Sequence, residues 1–147
     1  MQEEQLMQMV QDEFAGILLR ARQMLIRRAK MIHPDLQDPG YRILAVVIKE
    51  APQQQGALAE RLRLDKATIS RLINHLESLK LVTRSPDPRD GRAQLVSATP
   101  AAREKWFASG SVLSQELRHH LGDWDTDELK SFRDQLHRLN HSMDEIL

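Results

Sequence analysis

Cysteine is absent from the 147-residue sequence, which excludes a disulfide framework, a cysteine-ligated zinc site and redox sensing by thiols. Aromatic residues make up only 4%, so a core must come mainly from aliphatic side chains, as in helix-rich packing. No apolar run approaches the length of a membrane span, and Met1-Gln2-Glu3-Glu4-Gln5 lacks the positive start and apolar stretch of a secretory signal. A cytoplasmic protein with no membrane partner is therefore expected. The net charge of zero argues against a non-specific polycation but leaves local patches open. There is no glycine-rich phosphate loop, nucleophile elbow or His-Glu-x-x-His pattern, so nothing supports an enzyme and no cofactor is expected.

The most informative stretch runs from Leu58 to Arg92, which reads as two short helices joined by a turn and followed by a two-stranded hairpin. Asp65 is an N-cap residue type, and the helix it opens runs through Lys66 to Leu79. At 3.6 residues per turn Ile69, Leu72, Ile73 and Leu76 form one buried stripe, while Ala67, Arg71, Asn74 and Ser78 centre the opposite face, flanked by Thr68, Ser70 and His75. A face of Thr, Ser, Arg and Asn suits a major groove, because Arg pairs with guanine edges, Asn with adenine edges, and small residues permit close approach. An ordinary solvated face has the same composition, so the helix alone does not decide the matter.

The next residues do. Leu81-Val82-Thr83-Arg84 and Ala93-Gln94-Leu95-Val96-Ser97 are strand-like runs around Ser85-Pro86-Asp87-Pro88-Arg89-Asp90-Gly91-Arg92, a basic, turn-rich tip of the kind that forms a wing. Through Leu58-Ala59-Glu60-Arg61-Leu62, Thr68-Ile69-Ser70-Arg71-Leu72-Ile73, Leu76-Glu77, Leu81-Val82 and above all Asp87-Pro88-Arg89-Asp90-Gly91-Arg92, the sequence resembles the MarR family of bacterial transcriptional regulators. The wing motif is the specific part, since helix-turn-helix patterns alone arise often by chance. The basic excess also sits here: Arg61, Arg63, Lys66, Arg71, Lys80, Arg84, Arg89 and Arg92 outnumber Glu60, Asp65, Glu77, Asp87 and Asp90, whereas acids outnumber bases from Glu104 onward.

Around this unit the chain reads as helices. Leu6, Val10, Phe14, Ile17, Leu18, Ala21, Met24 and Leu25 recur with helical spacing in a long amphipathic segment that His33-Pro34 ends. Tyr41 to Ile48 reads as a second helix, with a buried strand as the alternative that the resemblance disfavours. Pro52 to Gly56 breaks the chain, and a helix from about Ala57 presents Leu58, Leu62 and then Leu64 to the core. Past the wing, Thr99-Pro100 starts a helix carrying Trp106, Phe107, Leu113, Leu117 and Leu121. Gly110 should cost that helix about 1 kcal/mol and allows a kink. Asp125-Thr126-Asp127-Glu128 is a capping box. It precedes Leu129, Phe132, Leu136, Leu139, Met143 and Ile146, spaced 3, 4, 3, 4 and 3 residues apart, as in a helix that packs along its whole length.

The fold expected is mainly α with a small antiparallel β wing. Residues 36–98 form a winged helix-turn-helix, and residues 1–35 and 99–147 form a helical region that the resemblance assigns to an intertwined homodimer. The partner so implied is a pseudo-palindromic double-stranded DNA operator. Thr68, Ser70, Arg71 and Asn74 are the base-reading candidates, and Arg63, Lys66 and His75 the backbone contacts. Arg84, Asp87, Arg89, Asp90 and Arg92 belong to the wing, where arginine suits a minor groove and the aspartates are expected to pair with Arg84, Arg89 or Arg92 to hold the tip. The resemblance further implies repression relieved by a small-molecule effector, often an aromatic acid, bound between the dimer helices and the reading unit. The rival reading is a winged-helix protein-interaction module that does not read DNA, for which the zero net charge speaks. His137 and His141 lie one turn apart and His119-His120 is nearby in sequence, but without a companion carboxylate a polar helix face explains them better than a metal.

The sequence also departs from the family, which usually has glycine where Arg63 and Lys80 stand; both positions follow a helix, where a left-handed backbone is common. Ala102 replaces another usual glycine, and Gly40 stands where glutamine is frequent.

Overall fold

A computed structural model describes residues 2–50 and 52–144, and the chain divides into two compact units, Met1–Ser111 and Val112–Leu147. In the first unit, helix α1 (Gln2–Ile32) buries only Ala29 and Ile32 at its end. His33 and Pro34 stop it as expected, and helix α2 (Asp38–Lys49) follows with a proline in its first turn. The Ile/Val run of α2 is therefore a helix, with Ile43, Leu44 and Val47 wholly buried. Strand β1 (Gln53–Gln54), helix α3 (Gln55–Leu62) and helix α4 (Lys66–Ser78) come next, and then strands β2 (Val82–Asp87) and β3 (Asp90–Ala98).

The wing has three antiparallel strands in the order β1-β3-β2, not the two expected. Gln53 and Gln54 pair with Val96 and Leu95, and Val82 to Pro86 pair with Ala98 to Gln94. β2 and β3 also run closer to the tip than the turn residues suggested, so that only Pro88 and Arg89 separate them. Proline is tolerated at position 86 because β2 is an edge strand that owes its outer side no amide.

A single aliphatic core joins these elements. Ile69, Ile73 and Leu76 of α4 are buried against it with Ile43, Leu44, Leu58 and Val96, and Leu62, Leu64 and Leu72 pack partly onto it. Burying a side chain of this size contributes roughly 1.5–3 kcal/mol. Gly40 is closely approached: a Cβ there would lie 3.1 Å from a Leu76 methyl and 3.2 Å from a Leu36 methyl, so those side chains would have to give by a few tenths of an ångström.

Helix α5 (Pro100–His120) begins in this unit. The Thr99 hydroxyl accepts from the Ala102 amide at 3.1 Å and donates to the Lys80 carbonyl at 2.9 Å, so one side chain caps α5 and holds the exit of α4. The half-buried Arg28 of α1 ties α2 and α5 together. It donates to the Ser109 hydroxyl at 3.1 Å, the Tyr41 hydroxyl at 3.4 Å and the Trp106 carbonyl at 2.9 Å, with its guanidinium 4.1 Å above the Trp106 ring. Gly110 has a packing reason here: a Cβ would fall 2.8 Å from Arg28 Nη2. No break in α5 accompanies it.

The second unit contains the rest of α5 and helix α6 (Thr126–Asp144). Asp125 accepts from the Glu128 amide at 2.8 Å and Glu128 accepts from the Asp125 amide at 2.9 Å, the reciprocal capping box read from the sequence. Trp124 meets Phe132 edge to face at 5.2 Å. Among its described residues α6 buries none; Ile146, the last member of its apolar repeat, lies outside the described residues.

Candidate nucleic-acid interface

Two tight reversals orient α4. α3 ends at Arg63, whose backbone is left-handed (φ 54°, ψ 44°), and the Leu64 amide returns to the Ala59 carbonyl at 2.9 Å. α4 ends similarly: Lys80 has φ 60°, its amide donates to the Glu77 carbonyl at 2.9 Å, and the Leu81 amide reaches the Leu76 carbonyl at 3.0 Å. Both positions marked by an absent glycine therefore adopt the conformation that glycine favours. Each Cβ strains the backbone by roughly 1–2 kcal/mol.

At the start of α4, Asp65 accepts from the Thr68 amide at 2.7 Å and the Thr68 hydroxyl at 2.8 Å. These bonds, the amide first, hold the Asp65 carboxyl below its ordinary value, with a smaller contribution from the charge of Arg71. Thr68 thus spends its only hydroxyl proton on the cap, and its oxygen accepts from Arg71 Nη2 at 3.2 Å. What Thr68 can still turn outward is its methyl group.

Arg71 and Asn74 are exposed on the outer face, while Thr68 and Ser70 are half-buried. Lys66 is exposed at the first turn; His75, also exposed, sits 3.4 Å through Nε2 from the Asp35 carbonyl.

Arg84 of β2 turns back onto α4. Its Nη1 donates to Asn74 Oδ1 at 2.7 Å and lies 3.2 Å from a Glu77 carboxylate oxygen, and its Nη2 donates to the Ser70 carbonyl at 3.3 Å. Its Nε–H is buried and finds no acceptor among the described residues.

The aspartates of the tip are not held by arginine side chains, as the sequence suggested, but by backbone amides. Asp87 accepts from the Arg89 amide at 2.9 Å and Asp90 from the Arg92 amide at 3.1 Å. An aspartate bonding two residues ahead closes a turn locally and leaves the arginine side chains uncommitted to it. Asp87 is buried and also accepts from Gln54 Nε2 at 2.6 Å, so β1 braces the tip. The Gln54 amide, then the Arg89 amide and lastly the Arg89 charge outweigh burial and hold the Asp87 carboxyl below its ordinary value. Arg89 and Arg92 are exposed. Sequence reasoning missed Gln54 and Glu77; a two-residue strand has no periodicity to betray it, and Glu77 gains its role from Arg84 on another element.

No group of three or more His, Cys, Asp or Glu suited to a metal occurs among the described residues. The His137 and His141 rings lie 4.0 Å apart on exposed α6, and among the described residues no helix is long and apolar enough to cross a membrane.

Comparison with known proteins agrees with this geometry. A model described as MarR family matches residues 35–93. The uncharacterized HTH-type transcriptional regulator YxaD of Bacillus subtilis is 26% identical over 140 residues, which span 95% of this chain and 96% of YxaD. The transcriptional regulator HosA of Escherichia coli O111:H- is 30% identical over 100 residues, 67% of this chain and 73% of HosA. Among solved structures, a MepR mutant of S. aureus bound to an oligodeoxyribonucleotide shares the fold with a TM-score of 0.69 at 18% identity, over 91% of this chain and 97% of that one. The PcaV transcriptional regulator of Streptomyces coelicolor in complex with its natural ligand aligns with a TM-score of 0.56 at 25% identity, over 88% and 91%.

Proposed function

This chain is a member of the MarR family of DNA-binding transcriptional regulators, not an enzyme, and from that premise we propose that it acts as a homodimeric, ligand-responsive repressor of a pseudo-palindromic operator. The observation that carries the DNA-reading part is the outward face of α4, which exposes Arg71 and Asn74 among further exposed cations: Lys66 of its first turn lines one cavity with Arg92 of the wing, and Arg63 and Arg89 are exposed as well. Thr68, Ser70, Arg71 and Asn74 face base edges; Arg63, Lys66 and His75 take phosphates; and Arg89 and Arg92 reach a flanking minor groove. Asp87 and Asp90 shape the tip, and Arg84 positions α4 against the wing. Residues 36–98 are the reading unit, and residues 1–35 and 99–147 supply the dimer contacts. Such a protein works where the chromosome is, in the cytoplasm. The alternative of an interaction module that does not read DNA has the zero net charge in its favour and family membership against it.

Dimerisation is supported by apolar residues that the single chain leaves exposed, including Leu6, Val10, Ile17 and Leu18 of α1 and Leu129, Leu136 and Leu139 of α6. Covering such surface is the ordinary purpose of a permanent interface. Effector binding is supported by a cavity of about 880 Å³ between α1 and the connector to α2, lined by Leu25, Ile26, Leu36 and Tyr41 together with Arg22 and Lys30. Apolar walls with cations suit an aromatic acid. To relieve repression the effector must bind better to a dimer whose two α4 helices miss the roughly 34–36 Å repeat of successive major grooves.

The test is duplex selection from a random pool, followed by titration of the selected operator at several salt concentrations. Arg71→Ala should cost about 1–3 kcal/mol on the selected duplex and relax one base position per half-site. Equal loss on random duplex would move Arg71 from base to phosphate. For the effector arm, aromatic carboxylates should raise the melting temperature and lower operator affinity together, and a compound that does the first without the second is not an inducer.

A further inference from the structure

The contact between Arg84 and Asn74 restricts what Asn74 can read. Asparagine usually recognises adenine with both amide atoms, accepting from the N6 amine through oxygen and donating to N7 through nitrogen. The two amide atoms look alike in shape, but a guanidinium has five donors and no acceptor, so the atom facing Arg84 Nη1 at 2.7 Å has to be the oxygen. The cation is held there from two further sides, by the Glu77 carboxylate at 3.2 Å and the Ser70 carbonyl at 3.3 Å. Asn74 itself is exposed on the reading face.

Two effects then act in the same direction. Charge-assisted bonding to the amide oxygen draws electron density from the amide and strengthens the remaining N–H donors. It also places a positive charge beside the spot that an adenine or cytosine amine would have to occupy, where that amine's own polar hydrogens are repelled. A keto oxygen in the same place, O6 of guanine or O4 of thymine, meets a donor and a nearby cation. We infer that Arg84 is a positioning residue that makes Asn74 a donor-only reader, selecting a keto-bearing base over an amino-bearing base at one position of each half-site. The inference rests on the proposed base-reading role of Asn74 and adds the chemical class of base.

The experiment compares half-site preferences of the full-length protein, selected from a random duplex pool, with those of Asn74→Ala, Arg84→Met and Asn74→Asp. Asn74→Ala should relax one position, which identifies the base that Asn74 reads; if none relaxes, the base-reading role falls and this inference with it. At that position the unsubstituted protein should prefer guanine or thymine over adenine and cytosine by about tenfold. Adenine or cytosine there overturns the inference while leaving the base-reading role intact. Arg84→Met keeps an apolar stem without the cation, and should raise the relative affinity for adenine about tenfold with an otherwise unchanged half-site. An unchanged keto preference in folded Arg84→Met also overturns the inference. If that variant does not fold, Asn74→Asp decides: it retains Arg84 as partner and converts the free atom from donor to acceptor, so preference should move toward amino-bearing bases. Retention of the keto base in Asn74→Asp would likewise end the proposal.

Discussion

Helices α4 and α6 both set apolar residues three and four positions apart, yet Ile69, Ile73 and Leu76 of α4 are buried within the chain, whereas none of the described residues of α6 is. Leu129, Leu136 and Leu139 keep about two-fifths of their surface exposed, despite the more regular repeat. The same rhythm therefore has two meanings. In α4 it is answered by α2, α3 and β2 of its own chain; in α6 it leaves apolar surface that the proposed dimer would cover.

The largest expected effect tests this difference directly. Ile73→Ala should cost about 2–5 kcal/mol at any protein concentration, since it empties a site enclosed within one chain. Leu136→Ala should instead weaken self-association, raising the protein concentration at which the dimer comes apart, as expected of a residue between copies. Thermal melts beside light scattering over a hundredfold range of concentration check both. Unchanged self-association in Leu136→Ala would erase the distinction, and a folded monomer of the unsubstituted protein at low micromolar concentration would remove the dimer.

A smaller effect is expected where α5 meets α1. Alanine is the better helix former by about 1 kcal/mol, so a solvated Gly110 would be stabilised by Gly110→Ala. The methyl group instead meets Arg28 Nη2 and weakens a charge-assisted bond, of a kind that contributes roughly 1.5–3 kcal/mol. Gly110→Ala should therefore lower stability by about 1 kcal/mol by denaturant titration. A gain would show that Arg28 moves aside without loss.

Acid should act on the wing before the core. The Asp87 carboxyl is held below its ordinary value by the bonds from Gln54 and the Arg89 amide. A carboxyl lowered in the folded state contributes stability that is complete above its unfolded value, near ~3.9, and is lost as pH falls through the lower folded value. Protection of the Arg89 amide from solvent exchange should thus persist at about pH 5 and fall toward about pH 3, a change absent in Asp87→Asn. Loss beginning near neutral pH would point to another group.

The smallest shift in stability belongs to the left-handed residues. Arg63→Gly and Lys80→Gly should leave stability equal or up to about 1 kcal/mol higher, because relief of strain opposes the greater unfolded-state freedom of glycine. Arg63→Gly should also weaken DNA binding and flatten its salt dependence by about one contact per protomer. Unchanged affinity would remove Arg63 from the interface.

What could be read in advance follows from how local each signal is. The Asp65 cap, the Asp125–Glu128 box and the stripe of α4 rest on residues within one or two turns, and the structure contains all three. The left-handed backbone at Arg63 and Lys80 was legible because such a conformation leaves its mark as a glycine preference. Strand β1 was not, since two glutamines carry no alternation and become a strand only by pairing with β3. The candidate site was legible as a face but not as a network. Arg84 is one more basic residue in the chain until Ser70, Asn74 and Glu77 are brought beneath it, and the tip aspartates choose backbone amides by geometry that composition does not reveal.

The pairing of β1 with β3 joins positions roughly forty residues apart in sequence, with α3 and α4 in the interval. Closing so long a loop costs chain entropy that nearby contacts do not, and such distant pairings tend to form late. During synthesis both α3 and α4 leave the ribosome before the strand that completes the sheet. A nascent chain ending ahead of Leu95 has every residue of the helix-turn-helix and no closure around it, so the wing is also the fastening by which the two helices become one cooperative unit.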